Sequence, residues 1–132
     1  MKKKLKKLLS ALLPKGHFKE QLKCLYYNAV SNGASFGVLK SPIRFATKYK
    51  GLSFITKDPL YGYAHEFDVY QKFYTVKPGD VVIDAGANTG YVSLLFSKLA
   101  GNAGKVCAFE PDAINIVHIK DNIALNPGTD NI

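Results

Sequence analysis

Val81-Val82-Ile83-Asp84-Ala85-Gly86-Ala87-Asn88-Thr89-Gly90 is a short apolar run that ends on a carboxylate and turns through two glycines four residues apart. It then enters an apolar, helix-like segment from Tyr91 to Leu99. The pattern predicts a strand, a tight glycine loop and a helix N-terminus, the part of an α/β fold that holds a nucleotide-like ligand. After Gly101-Asn102-Ala103-Gly104, residues 105–109 read as a second buried strand, and Ala113 to Leu125 as another helix stopped by Asn126-Pro127-Gly128. The order β-α-β-α predicts a right-handed parallel sheet with helices on its faces. Thr129 to Ile132 read as the approach to a third strand.

Upstream, Phe18 to Val30 carries a helical pattern, and Ile43–Tyr49 and Leu52–Thr56 predict two strands of a hairpin turning at Lys50-Gly51. Ala64 to Tyr74 predicts a helix with Phe67, Tyr70 and Tyr74 on one side. The local charge around these aromatics is nearly balanced, so they read as core or pocket wall rather than as a nucleic-acid stacking platform. Residues 2–13 place Leu5, Leu8, Leu9, Leu12 and Leu13 on one stripe of a lysine-coated helix, ended by Pro14 and Gly16. Its uninterrupted apolar part is too short for a membrane span. Two readings stay open: the helix lies on a membrane surface, or its leucines pack on the protein or on a partner.

The net charge of +8 is concentrated in residues 1–23, which hold eight lysines against Glu20. The basic balance therefore belongs to the N-terminal segment and not to the main domain. Cys24 and Cys107 lack metal-ligand or disulfide-framework spacing, and Cys107 reads as a small buried thiol. Histidines 17, 65 and 118 are scattered, so no metal site is expected. A reducing cytoplasm is the default location, with membrane association through residues 2–13 as the option.

The chemistry of the glycine turn separates cofactor classes. Asp84 puts a negative charge at the carboxyl end of a strand, where open α/β sheets bind ligands. A pyrophosphate is repelled there, whereas a cofactor with an ammonium and a sulfonium is attracted. The spacing is Gly-x-x-x-Gly, because Asn88 stands where a dinucleotide site has its second glycine. Glu110 ends the next strand, twenty residues past Gly90, where an acid can accept hydrogen bonds from both ribose hydroxyls. Each residue alone has a plainer reading: Asp84 a turn cap, Asn88 a tolerant positive-φ residue, Glu110 a solvated strand end. Asp112 reads as the N-cap of the helix that follows.

Residues 81–93, the run Lys-Val-Cys-Ala-Phe-Glu-Pro-Asp at 105–112 and a helix ending Asn122-Ile-Ala-Leu-Asn126 together resemble the FkbM family of S-adenosylmethionine-dependent methyltransferases. Its motifs Asp-x-Gly-Ala-Asn-x-Gly and Phe-Glu-Pro are both matched, over about residues 76–126. The resemblance implies a Rossmann-like class I methyltransferase sheet, here C-terminally truncated and preceded by N-terminal helices and a β-hairpin. It implies methyl transfer to a hydroxyl of a sugar or natural product, hence a small-molecule or glycan acceptor. It also implies that Asp84, Gly86, Ala87, Asn88 and Gly90 line the methionine end of the cofactor, with Glu110 on the ribose and Pro111 beside the adenosine. No catalytic base can be named. Three segments follow: a basic helical segment (1–40), a hairpin and helix leading in (41–75), and the first two βα units (76–132). The competing readings are a non-catalytic cofactor-binding or docking fragment and an NAD-type Rossmann protein; Asp84 and the missing Gly-x-Gly count against the latter.

Overall fold

A computed structural model describes residues 14–63 and 66–132. The helix expected over residues 2–13 lies outside the described residues. The first element is helix α1 (His17–Val30), which turns Cys24 and Tyr27 inward against Phe36 and Tyr61; the Tyr27 and Tyr61 rings stack 4.4 Å apart. Strands β1 (Ala34–Leu39), β2 (Arg44–Tyr49) and β3 (Leu52–Thr56) form an antiparallel sheet in the order β1-β2-β3. The β2–β3 hairpin turns at Lys50 (φ 46°) and Gly51 (φ 84°), the paired left-handed geometry of a two-residue loop. Phe45, Thr47 and Tyr49 alternate inward along β2, as a half-buried strand requires.

β1 escaped sequence reading because Ala34, Ser35 and Gly37 dilute its strand pattern. It exists by tertiary pairing: β2 binds one edge, and the Asn28 side chain bonds the Phe36 N–H (2.6 Å) and C=O (2.9 Å) on the other. The helix expected over 64–74 is a single short helix, α2 (Glu66–Tyr70), within the described residues. Past it the Lys72 N–H bonds back three residues to the Val69 carbonyl. The Asp80 carboxylate then gathers the Tyr74 hydroxyl (2.9 Å) and the Lys77 N–H (2.8 Å), bending residues 74–80 away from a helical path.

β4 (Val81–Ala85) and β5 (Lys105–Phe109) pair in parallel, Val81 opposite Lys105 and Ala85 opposite Phe109. Helix α3 (Tyr91–Ala100) connects them, and helix α4 (Ala113–Ala124) follows. The fold is thus mixed α/β, with two small sheets and helices. α3 lies between the sheets: Leu94 and Leu95 enter the core with Phe36, Phe54 and Phe67, while Phe96 and Ala100 pack with Val76 and Val106. A helix buried on opposite flanks must be apolar nearly all round, and α3 is. Gly104 is where the chain returns against it. A Cβ there would stand 2.5 Å from the Ala100 Cβ and 2.7 Å from the Asp80 carbonyl oxygen.

The parallel pair is covered by α3 on one face only among the described residues. Val81, Ile83 and Phe109 point the other way and are exposed. Cys107 lies on that bare face and is part-exposed, so the buried small thiol is Cys24 instead. No strand forms at 129–132; the Asn131 carbonyl accepts one hydrogen bond from the Val106 N–H at the outer edge of β5 (2.8 Å).

Candidate functional site

The glycine loop joins β4 to α3, and its own amides fix its shape. The N–H groups of Gly86 and Ala87 both donate to the Phe109 carbonyl at 2.9 Å, so the start of the loop is tied to the end of β5. The Gly90 N–H then closes a turn on the Ala87 carbonyl (2.8 Å). Inside that turn Asn88 adopts φ 51°, a left-handed geometry that asparagine accepts more readily than other residues with a Cβ. Gly90 combines φ 84° with close approach, since a Cβ there would lie 3.2 Å from Ile119 Cγ1 on α4. α3 therefore begins at a residue that has no side chain to cap it. Its first-turn amides remain available to a polar or anionic group.

Glu110 is brought to this loop. Its Oε2 accepts the Asn88 N–H at 2.7 Å, and its Oε1 accepts the Asp112 N–H at 2.9 Å and, at 3.4 Å, the Asn115 amide. The Asp112 N–H, with help from the Asn88 N–H and the Asn115 amide, outweighs partial desolvation and holds this carboxyl below its ordinary value of 4.5. Each carboxylate oxygen has two lone pairs, so these contacts orient Glu110 without exhausting it. Asp112 caps α4 as expected, its Oδ1 accepting from Ile114 N (2.7 Å) and Asn115 N (3.2 Å).

Asp84 stands apart from that network. It is buried at the end of β4, and its Oδ2 accepts the Ser93 hydroxyl of α3 at 2.5 Å. Its side chain therefore lies beneath the first turn of α3 and supports the loop from below. Ala87 is buried in the loop, whereas Gly86, Asn88 and Pro111 face solvent.

Two residues not assigned a site role from sequence tie this region to β3, and one of them, Asn122, also holds the loop from behind. Asn122 on α4 donates its amide to the Thr89 carbonyl (2.9 Å) and accepts the N–H of Lys57, just past β3 (3.1 Å). One turn on, Asn126 bonds both the N–H (3.0 Å) and the C=O (2.7 Å) of Ile55. The signal was present as two asparagines four apart, Asn122 in the last turn of α4 and Asn126 just past its end. Two hollows open elsewhere, one along Gly33–Ser35 and Lys48–Ser53, the other between Tyr49, Asp68 and Leu95. Neither is lined by the loop or Glu110, so the site is identified by its chemistry rather than by concavity.

The chain is similar to a ribosomal protein L11 methyltransferase of Streptococcus equi subsp. zooepidemicus, 42% identical over 57 residues. It is 39% identical over 57 residues to the protein of that name from Streptococcus agalactiae serotype Ia. Each match spans 43% of this chain and only 17% of the relative. No protein-family model matches the chain. No solved structure matches it. These matches correct the resemblance to the FkbM family: the similarity found among curated proteins runs to ribosomal protein L11 methyltransferases instead. The correction has a chemical reason. The residues that carried the resemblance, Asp84 to Gly90 and Phe109-Glu110-Pro111, are those expected at the cofactor, and they carry no information about the acceptor.

Proposed function

We propose that this chain carries the donor site of an S-adenosylmethionine-dependent methyltransferase, built on a Rossmann-like class I unit over residues 76–132. Residues 41–75 lead into that unit, and 1–40 form a basic segment before it. The observation that carries the proposal is Glu110, held ionised against the glycine loop by the Asn88 N–H. In this reading Glu110 accepts the ribose hydroxyls and Pro111 flanks the adenosine. Gly86, Ala87, Asn88 and Gly90 form the methionine end, Asp84 supports that loop from beneath through Ser93, and the uncapped first turn of α3 offers N–H donors to the cofactor's carboxylate. The cofactor brings a methyl group already activated by the sulfonium. The protein's part is to bind it, orient it and exclude water. The similarity to curated methyltransferases supports the donor chemistry.

Equilibrium dialysis of the 132-residue chain with labelled S-adenosylmethionine tests the site. Glu110→Ala removes charge-assisted hydrogen bonds worth about 1.5–3 kcal/mol each, so affinity should fall about tenfold or more. Glu110→Gln, which keeps the shape, should lose less. Unchanged affinity in Glu110→Ala, or preferential binding of NADH, would defeat the proposal. Binding without methyl transfer to any acceptor would favour a cofactor-binding fragment. For the acceptor, a sugar or natural-product hydroxyl and the ribosomal protein after which the relatives are named are the two candidates. Label transfer to one of them separates these.

A further inference from the structure

α1 is apolar on two opposite sides. Its inner side, Cys24 and Tyr27, packs against Phe36 and Tyr61. Its outer side repeats Phe18, Leu22, Leu25 and Ala29 at i, i+4, i+7 and i+11, one continuous stripe, with Tyr26 and Val30 adjoining. Phe18 is 62% and Leu25 65% exposed. A helix on the flank of a soluble fold ordinarily turns charge outward, and α1 turns leucine and phenylalanine outward instead.

The charge around this stripe identifies its partner. Residues 1–23 carry eight lysines against Glu20 in the sequence. Dimerisation through this face would bring two such basic segments together, and their repulsion opposes it. An anionic surface reverses the sign of that term. Within α1 Lys23 is paired with Glu20 at 2.6 Å, so the attraction comes from the lysine-rich sequence as a whole. Outward apolar side chains in such a sequence are the composition of helices that lie in a headgroup layer. α1, with 14 residues, is about 21 Å long. No helix among the described residues is long and apolar enough to cross a membrane.

We infer that the outer face of α1 is a docking surface for anionic lipid headgroups.

The chain contains no tryptophan, so Phe18→Trp supplies a single reporter. The 132-residue chain should co-sediment with vesicles of phosphatidylglycerol and phosphatidylcholine, and hardly with phosphatidylcholine alone. Raising the salt should release it. With vesicles, the indole emission of Phe18→Trp should shift to the blue and be quenched by brominated lipid, whereas that of Phe73→Trp, at a position 93% exposed outside α1, should not. Leu25→Glu, an exposed change whose folding circular dichroism can check, should cut partitioning at least about tenfold. Equal partitioning of wild type and Leu25→Glu would overturn the inference, as would equal quenching in Phe18→Trp and Phe73→Trp. Blue-shifted emission from Phe18→Trp without vesicles would mean that the stripe is covered within the chain or by a second copy, which also overturns it.

Discussion

Glu110 shows how N–H donors alone can orient a single carboxylate. Three N–H donors converge on it, from Asn88, Asp112 and Asn115, and none comes from a charged side chain. The backbone N–H of Asp112, with those of Asn88 and the Asn115 amide, lowers its pKa below the ordinary 4.5. A carboxyl depressed in the folded state stabilises that state above its ordinary value and loses the contribution as pH falls through the depressed one. The loop should therefore keep its shape from neutral pH down to 4.5 and open only below that. The Asn88 amide resonance reports it directly: its pH titration should have a midpoint under 4.5 and should vanish in Glu110→Gln. A midpoint at or above 4.5 would mean that the Asp112 and Asn88 contacts do not persist in solution. At this scale sequence reading went far. Residue order along β4 and β5 brings Asn88 and Glu110 together, because strand ends in a parallel pair are forced to be neighbours. What order could not reveal is the direction of the Asp84 side chain. Alternation along β4 turns it under α3 toward Ser93, and that depends on which face of the strand α3 covers.

Among the elements, the antiparallel sheet has both edges closed by the same device. Asn28 of α1 bonds the N–H and C=O of Phe36 on β1, and Asn126 bonds those of Ile55 on β3. A side-chain amide offers both N–H donors and a carbonyl acceptor, so it substitutes for one residue of a neighbouring strand. The two are not equivalent. Asn28 is exposed, whereas Asn126 is buried, and its amide also donates to the Asn122 carbonyl at 2.7 Å. Asn126→Ala strands two backbone groups away from water and should cost about 2–3 kcal/mol; water can replace the amide in Asn28→Ala, which should cost about 1 kcal/mol or less. Urea midpoints of the two variants give the comparison, and equal losses would contradict the burial difference. The same edge explains which elements were legible. The β2–β3 hairpin was, because its strand pattern and Lys50-Gly51 turn are local. β1 was not, because its partners are Asn28 and β2 rather than its own side chains. The end of α2 at Tyr70 was equally hidden; the chain turns there with the Lys72 N–H on the Val69 carbonyl.

Over the whole molecule, apolar surface is distributed unevenly between the two sheets. The antiparallel sheet shares its core with α1 and α3, with Phe36, Phe54 and Phe67 buried there. The parallel pair buries only the face toward α3. On its other face Val81 is 72% and Ile83 69% exposed, opposite Lys105 and Cys107 in register, with Phe109 completing the patch. Two features make this face adhesive. Strands of parallel sheets are ordinarily covered on both sides, and β4 has β5 as its one strand neighbour among the described residues, which leaves its second edge free to pair. The sequence carried this information in a form that periodicity does not decode. Val81-Val82-Ile83 reads as a strand buried on both faces, and only the structure shows that one face is bare. The 132-residue chain should therefore bind a fluorescent apolar dye and self-associate as concentration rises, independently of lipid. Ile83→Lys places a charge at the centre of the patch without touching the α3 side. It should lower dye binding and shift sedimentation toward monomer, with little change in circular dichroism because the replaced side chain is exposed. A wild-type chain that stays monomeric and dye-free at high concentration would show that the face is not adhesive. An Ile83→Lys variant that associates as strongly as wild type would move the contact away from this face.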